Sequence, residues 1–105
     1  MNDRTYRIQD LGVSERPRER LAQVGADKLR DAELLAILLR VGIKGENGIH
    51  MADRLLQDFG GLTGLQRASF EEVCQQHGLG AAKAAQLKAA MEIGNRLSRR
   101  RSEED

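Results

Sequence analysis

The stretch that decides the fold runs from Ser69 to Leu97 and centres on Gly78-Leu79-Gly80. It opens with Ser69-Phe70-Glu71-Glu72, a serine followed three residues later by a glutamate. That spacing is a capping box: the hydroxyl accepts the Glu72 amide, and the carboxylate accepts the Ser69 amide. Phe70, Val73 and Cys74 supply apolar positions at helical spacing. Gly78 is the expected stop, because glycine enters the left-handed region without a Cβ penalty. Ala81-Ala82-Lys83-Ala84-Ala85-Gln86-Leu87-Lys88-Ala89-Ala90-Met91 is then a run of strong helix formers. The stretch reads as helix, three-residue hairpin, helix.

Two glycines around an apolar residue allow a tight turn, with Leu79 pointing inward to pin it. The free amides of Gly80 and of the next helix's first turn face outward with the positive end of the helix dipole behind them. Such an end accepts phosphate, and Lys83, one turn in, adds a mobile positive charge. This arrangement resembles the helix-hairpin-helix motif of sequence-independent DNA-binding proteins. The expected phosphate-contacting residues are Gly78, Leu79, Gly80, Ala81, Ala82, Lys83 and Lys88. A glycine-terminated helix followed by another helix in an ordinary bundle is the alternative reading of the same residues.

Composition supports an all-α fold. The chain has 105 residues, with one proline, no tryptophan, one tyrosine and two phenylalanines. A single domain core must therefore come from Leu, Ile, Val, Met and Ala. Net charge is +1, with no excess over residues 1 to 66 and +4 over residues 67 to 101, the part that carries the hairpin. A phosphate-binding surface needs that distribution, and a solvated helix face has it too. Cys74 is the single cysteine, which excludes an intrachain disulfide and suits a reducing cytoplasm. The longest apolar run, Leu34 to Leu39, is far below the roughly 18 residues of a membrane span. The expectation is a soluble cytoplasmic protein with no membrane partner.

Outward from the hairpin, residues 1 to 15 read as a flexible or extended arm, with Tyr6 and Ile8 at alternating positions. Ser14 or Glu15 opens a first helix that Gly25 ends, with Leu21 and Val24 turned inward. Asp31 is the expected cap of a second helix, Ala32 to Val41, which is apolar nearly all round and so reads as the buried one. Asn47 is placed to cap a third helix, Gly48 to Phe59, that Gly60-Gly61 closes. Leu62 to Ala68 reads as one short helical turn. The last helix is expected to run out near Arg99, with a frayed tail over residues 100 to 105. The domain proper spans residues 16 to 99, a compact bundle of about five or six short helices. Leu34, Leu38, Ile49, Leu55, Phe70, Leu79 and Leu87 are its expected shared core. Gly42-Ile43-Lys44-Gly45 looks like a longer version of the second hairpin, and aligning Gly45 with Gly80 brings Ala52 onto Leu87. A pseudo-twofold pair of hairpin units is therefore a variant of the same fold class.

Taken together, these segments resemble the N-terminal region of the RadC family. The matching residues are Glu15-Arg16-Pro17-Arg18-Glu19-Arg20-Leu21 and Asp31-Ala32-Glu33-Leu34-Leu35-Ala36-Ile37-Leu38-Leu39-Arg40. They continue through Gly42, Lys44-Gly45, Ala52, Leu55-Leu56 and Phe59-Gly60 to the run Gly78 to Ala90. The chain departs from the family pattern at Ala81, where proline is usual, and at Glu46, where a basic residue is frequent. The resemblance implies a following domain of the JAB/MPN type, similar to zinc hydrolases, with ligands in a His-x-His-plus-aspartate arrangement, beyond residue 105. His50 and His77 lie on different elements without such a pattern, so no metal site, cofactor or enzyme chemistry is expected in this chain. Two functions follow as expectations: sequence-independent DNA binding through the hairpin, or an adaptor role that positions the JAB/MPN domain.

Overall fold

The computed structural model describes residues 16–40 and 47–104, with side chains described through residue 101. Among the described residues the chain is all-α. Six helices, α1 (Arg16–Val24), α2 (Asp31–Leu39), α3 (Gly48–Phe59), α4 (Gly61–Arg67), α5 (Phe70–Cys74) and α6 (Gly80–Glu104), follow one another, with a 3-10 turn at Ala26–Lys28. The arm over residues 1 to 15 and the hairpin Gly42 to Gly45 lie outside the described residues.

Helix starts follow local chemistry. Asn47 accepts the His50 amide at 2.9 Å and caps α3. The Ser69 hydroxyl accepts the Glu72 amide at 3.1 Å while Glu72 accepts the Ser69 amide at 2.9 Å, which closes the capping box of α5. At α2 the helix begins at Asp31 itself, one residue earlier than expected. The Arg30 amide donates to Glu33 at 2.9 Å, so Glu33 ties down the N-terminus and Asp31 does not cap it. α2 ends at Leu39 and not at the expected Val41, because Arg40 turns into the left-handed conformation.

The core joins Leu35 and Leu39 of α2, Met51, Ala52 and Leu55 of α3, Leu65 of α4, Val73 of α5, and Leu79, Ala84 and Leu87 at and after the last turn. Each fully buried leucine contributes about 1.5–3 kcal/mol relative to exposure. Leu55, Leu79 and Leu87 are buried as expected, and Leu38 and Ile49 pack against the core half-buried. Leu34 and Phe70 are not in it, being 36% and 41% exposed. Leu34 lies on the outer edge of α2, and the five-residue α5 encloses only Val73 against α6. Val24 is also exposed, because α1 packs chiefly on α2. What seats α1 is the buried Pro17 ring and a polar clasp, Arg20 Nε to Glu33 Oε2 at 2.8 Å.

Two further lengths differ from expectation. α5 stops at Cys74, well before Gly78. Val73 and Leu79 are both buried, yet six residues of continuous helix would set them about 120° apart around the axis. Leaving the helix at Gln75 lets both side chains enter one core. At the other end, α6 continues past Arg99 to Glu104. Arg96 and Arg99 both reach Glu92, at 2.9 and 3.6 Å, and such pairs support an exposed helix.

Gly64 carries the sharpest packing constraint. A Cβ there would lie 1.5 Å from the Phe59 carbonyl oxygen, so α4 can fold back against the end of α3 only with glycine at this position.

Candidate nucleic-acid interface

The turn between α5 and α6 is built by three hydrogen bonds and one anchor. The Gln75 amide donates to Glu71 at 3.2 Å, Gln76 to Val73 at 3.1 Å, and Leu79 to Gln76 at 3.1 Å. Leu79 is buried, as the hairpin reading requires, while Gly78 and Gly80 flank it exposed, with φ of 84° and 76°. From across the core, Arg54 of α3 donates an Nη2 hydrogen bond to the His77 carbonyl at 3.0 Å. That donor holds the turn from a position 23 residues away in the chain, so no local pattern announces it.

Beyond the turn, Gly80, Ala81 and Ala82 are exposed at the N-terminus of a 25-residue helix. Their amides belong to the first turn, which has no intrahelical acceptor. Lys83 is half-buried, and no hydrogen bond or ion pair with a described residue engages its ammonium. The geometry thus brings together Gly78 to Lys83: outward amides, a dipole end and an uncommitted cation on one short surface.

Lys88 stands apart. Its Nζ donates to the carbonyls of Ala68 at 2.7 Å, Gln66 at 2.8 Å and Leu65 at 3.2 Å. An ammonium has three protons, and all three are directed at the C-terminal end of α4, where a cation is favoured by the dipole and by unpaired carbonyls. Lys88 joins α6 to the α4–α5 corner, and of the residues expected to contact phosphate it is set apart from Gly78 through Lys83.

Glu33 is a polar group whose burial the sequence reading missed. Its side chain is 7% accessible. The Arg30 amide, followed by the Arg20 guanidinium, holds its carboxyl below the ordinary value against the opposing effect of burial. Among the described residues no group of three or more His, Cys, Asp and Glu side chains is placed to hold a metal ion. No described helix is long and apolar enough to cross a membrane.

Comparison with known proteins places the chain. The UPF0758 N-terminal family matches residues 8–85. A UPF0758 protein of Roseiflexus castenholzii is 60% identical over 97 residues, covering 92% of this chain and 42% of its own length. One from Chloroflexus aurantiacus is 56% identical over 100 residues, covering 95% of this chain and 44% of its own length. The chain belongs to the UPF0758 N-terminal family, the RadC-like family to which its motifs pointed. It spans less than half the length of these curated relatives. No solved structure matches it.

Proposed function

We propose that this domain binds DNA phosphates without sequence preference through the α5–α6 turn. The observation that carries the reading is the exposed Gly78 to Lys83 surface, where an uncommitted lysine stands beside the free amides of a long helix. Backbone amides and a helix end recognise phosphate and carry no base readout, so affinity rather than sequence choice is what this surface supplies. The seating of the turn by Leu79 and Arg54 supports the reading, because a rigid turn loses little entropy on binding. The chain's positive charge over residues 67 to 101 supports it as well.

The test is a salt titration of binding to duplex, single-stranded and branched DNA, with Lys83→Glu beside the unaltered chain. Lys83→Glu is expected to weaken binding equally across sequences and to flatten the slope of log affinity against log salt by about 0.9 on duplex. Absence of DNA binding by the unaltered chain at low salt would sink the proposal.

A second reading has one observation in its favour: the family's proteins run to more than twice the length of this chain. On it, the domain is an adaptor that positions the JAB/MPN-type domain implied by the resemblance. Loss of binding in Lys83→Glu with an intact fold favours DNA over the adaptor.

A further inference from the structure

A groove of about 490 Å³ runs between α2, α4 and the second half of α6. Its apolar wall includes Leu34, Leu38, Leu62 and Met91, and Leu34 and Leu62 are 36% and 39% exposed. Beside it, α6 carries a second apolar edge that no described element covers: Ile93 is 61% exposed and Leu97 is 60% exposed. Gly94 lies between them, and a Cβ at Gly94 would meet nothing within 4 Å. An approaching helix therefore finds room there.

Charge decides the occupant. Asp31 is the single ionisable residue lining the groove, and it makes no ion pair with a described residue. Arg100 and Arg101, just beyond the groove on the same α6, are exposed and likewise unpaired among the described residues. The helix thus has an apolar edge followed by cations, and the groove has an apolar wall with an acid. The two are complementary, and both are on this chain. We propose that a second copy of this chain docks here through its α6. Ile93 and Leu97 of each copy enter the other's groove, and Arg100 and Arg101 lie over the other's Asp31. The arrangement is isologous, so the same contacts repeat across a two-fold axis and the assembly closes as a dimer. None of these residues belongs to the α5–α6 turn, and the two readings share only Arg100 and Arg101, which count in the positive charge of residues 67 to 101.

Sedimentation equilibrium of the 105-residue chain tests it, with circular dichroism to follow folding. The expected result is a monomer–dimer equilibrium with Kd of about 100 µM or tighter. Leu97→Lys, at an exposed helical site where folding has little at stake, should raise that Kd about tenfold or more. Asp31→Arg alone and the pair Arg100→Asp with Arg101→Asp alone should each dimerise poorly. Mixing these two variants should restore a dimer, because both cross-copy contacts then join opposite charges. A chain that stays monomeric at about 1 mM overturns the proposal. So does a dimer that Leu97→Lys leaves unchanged, or a mixture of the charge variants that shows no rescue.

Discussion

Arg20 Nε sits 2.8 Å from Glu33 Oε2, and this contact, between a half-exposed cation and an enclosed carboxylate, fastens α1 to α2 together with the buried Pro17 ring. Glu33 also accepts the Arg30 amide at 2.9 Å, so one carboxylate serves a helix start and a helix–helix joint together. Arg20→Ala leaves the first bond and removes the second. The expected loss is about 1–2 kcal/mol, at the lower end of a charged hydrogen bond because Arg20 is half in solvent. A thermal melt reads it as a drop of roughly 4–8 °C per kcal/mol in a domain of this size.

The same carboxylate sets an acid dependence. Glu33 is held below its ordinary value of 4.5, first by the Arg30 amide and then by Arg20. A folded value lower than the unfolded one contributes stability that is present above 4.5 and is lost as pH falls through the folded value. Glu72, whose carboxyl the Ser69 amide holds down, acts in the same direction. The melting temperature should therefore fall on acidification below the ordinary carboxylate range. Glu33→Gln should melt lower at neutral pH and show a shallower acid limb, and an unchanged limb would remove Glu33 from the account.

Local chemistry explains how much of this was readable in the sequence. The Asn47 cap, the limits of α3 and the Ser69 capping box each rest on residues three or four apart, and the structure has all of them. Lys88 read as a phosphate contact and nothing singled out Arg54 or the burial of Glu33, because the long-range partners of all three lie 13 to 23 residues away. Leu34 and Phe70 were assigned to the core on periodicity, which records a helix face and says nothing of whether another element covers it. At the candidate interface, Gly78 to Lys83 come together because a turn is a local object. Lys88 does not join them because its surroundings are set by α4.

Gly64 gives a sharp packing test. Ala at this position would place a Cβ 1.5 Å from the Phe59 carbonyl oxygen, and backbone has to move to admit it. Gly64→Ala is expected to cost about 3 kcal/mol or more, despite alanine's better helix propensity. Gly94→Ala is the control, since its Cβ meets nothing and the same propensity then stabilises by up to about 1 kcal/mol. Opposite shifts in the two melting curves are the expected outcome. A neutral Gly64→Ala would mean that α4 does not fold back on Phe59 as described.

Lys88→Met separates structure from binding. Methionine keeps the apolar stem and loses three carbonyl contacts, at 2.7, 2.8 and 3.2 Å. The expected cost is about 1.5–3 kcal/mol, the range for hydrogen bonds to a charged group. On DNA the variant should keep the salt slope of the unaltered chain, because this ammonium faces α4 and not solvent phosphate. A slope flattened by about 0.9 would instead return Lys88 to the phosphate surface.

Gly80 tests the turn itself. Its φ of 76° lies where L side chains are disfavoured, yet a Cβ built there meets nothing within 4 Å. Gly80→Ala is therefore strained without a clash, and should cost about 1–2 kcal/mol. Gly80→Val adds the β-branched penalty and lays a side chain beside the outward amides of α6. Both variants are compared with the unaltered chain at a temperature where circular dichroism shows all three folded. Under the phosphate reading, affinity for duplex DNA falls from Gly80 to Ala to Val. Lys83 keeps its own contribution to the salt slope in each, because its charge is untouched while the neutral amides are progressively covered. If folded Gly80→Val binds DNA as tightly as the unaltered chain, the amides of this helix start are not a phosphate site. The turn then serves only to bring Val73 and Leu79 into one core.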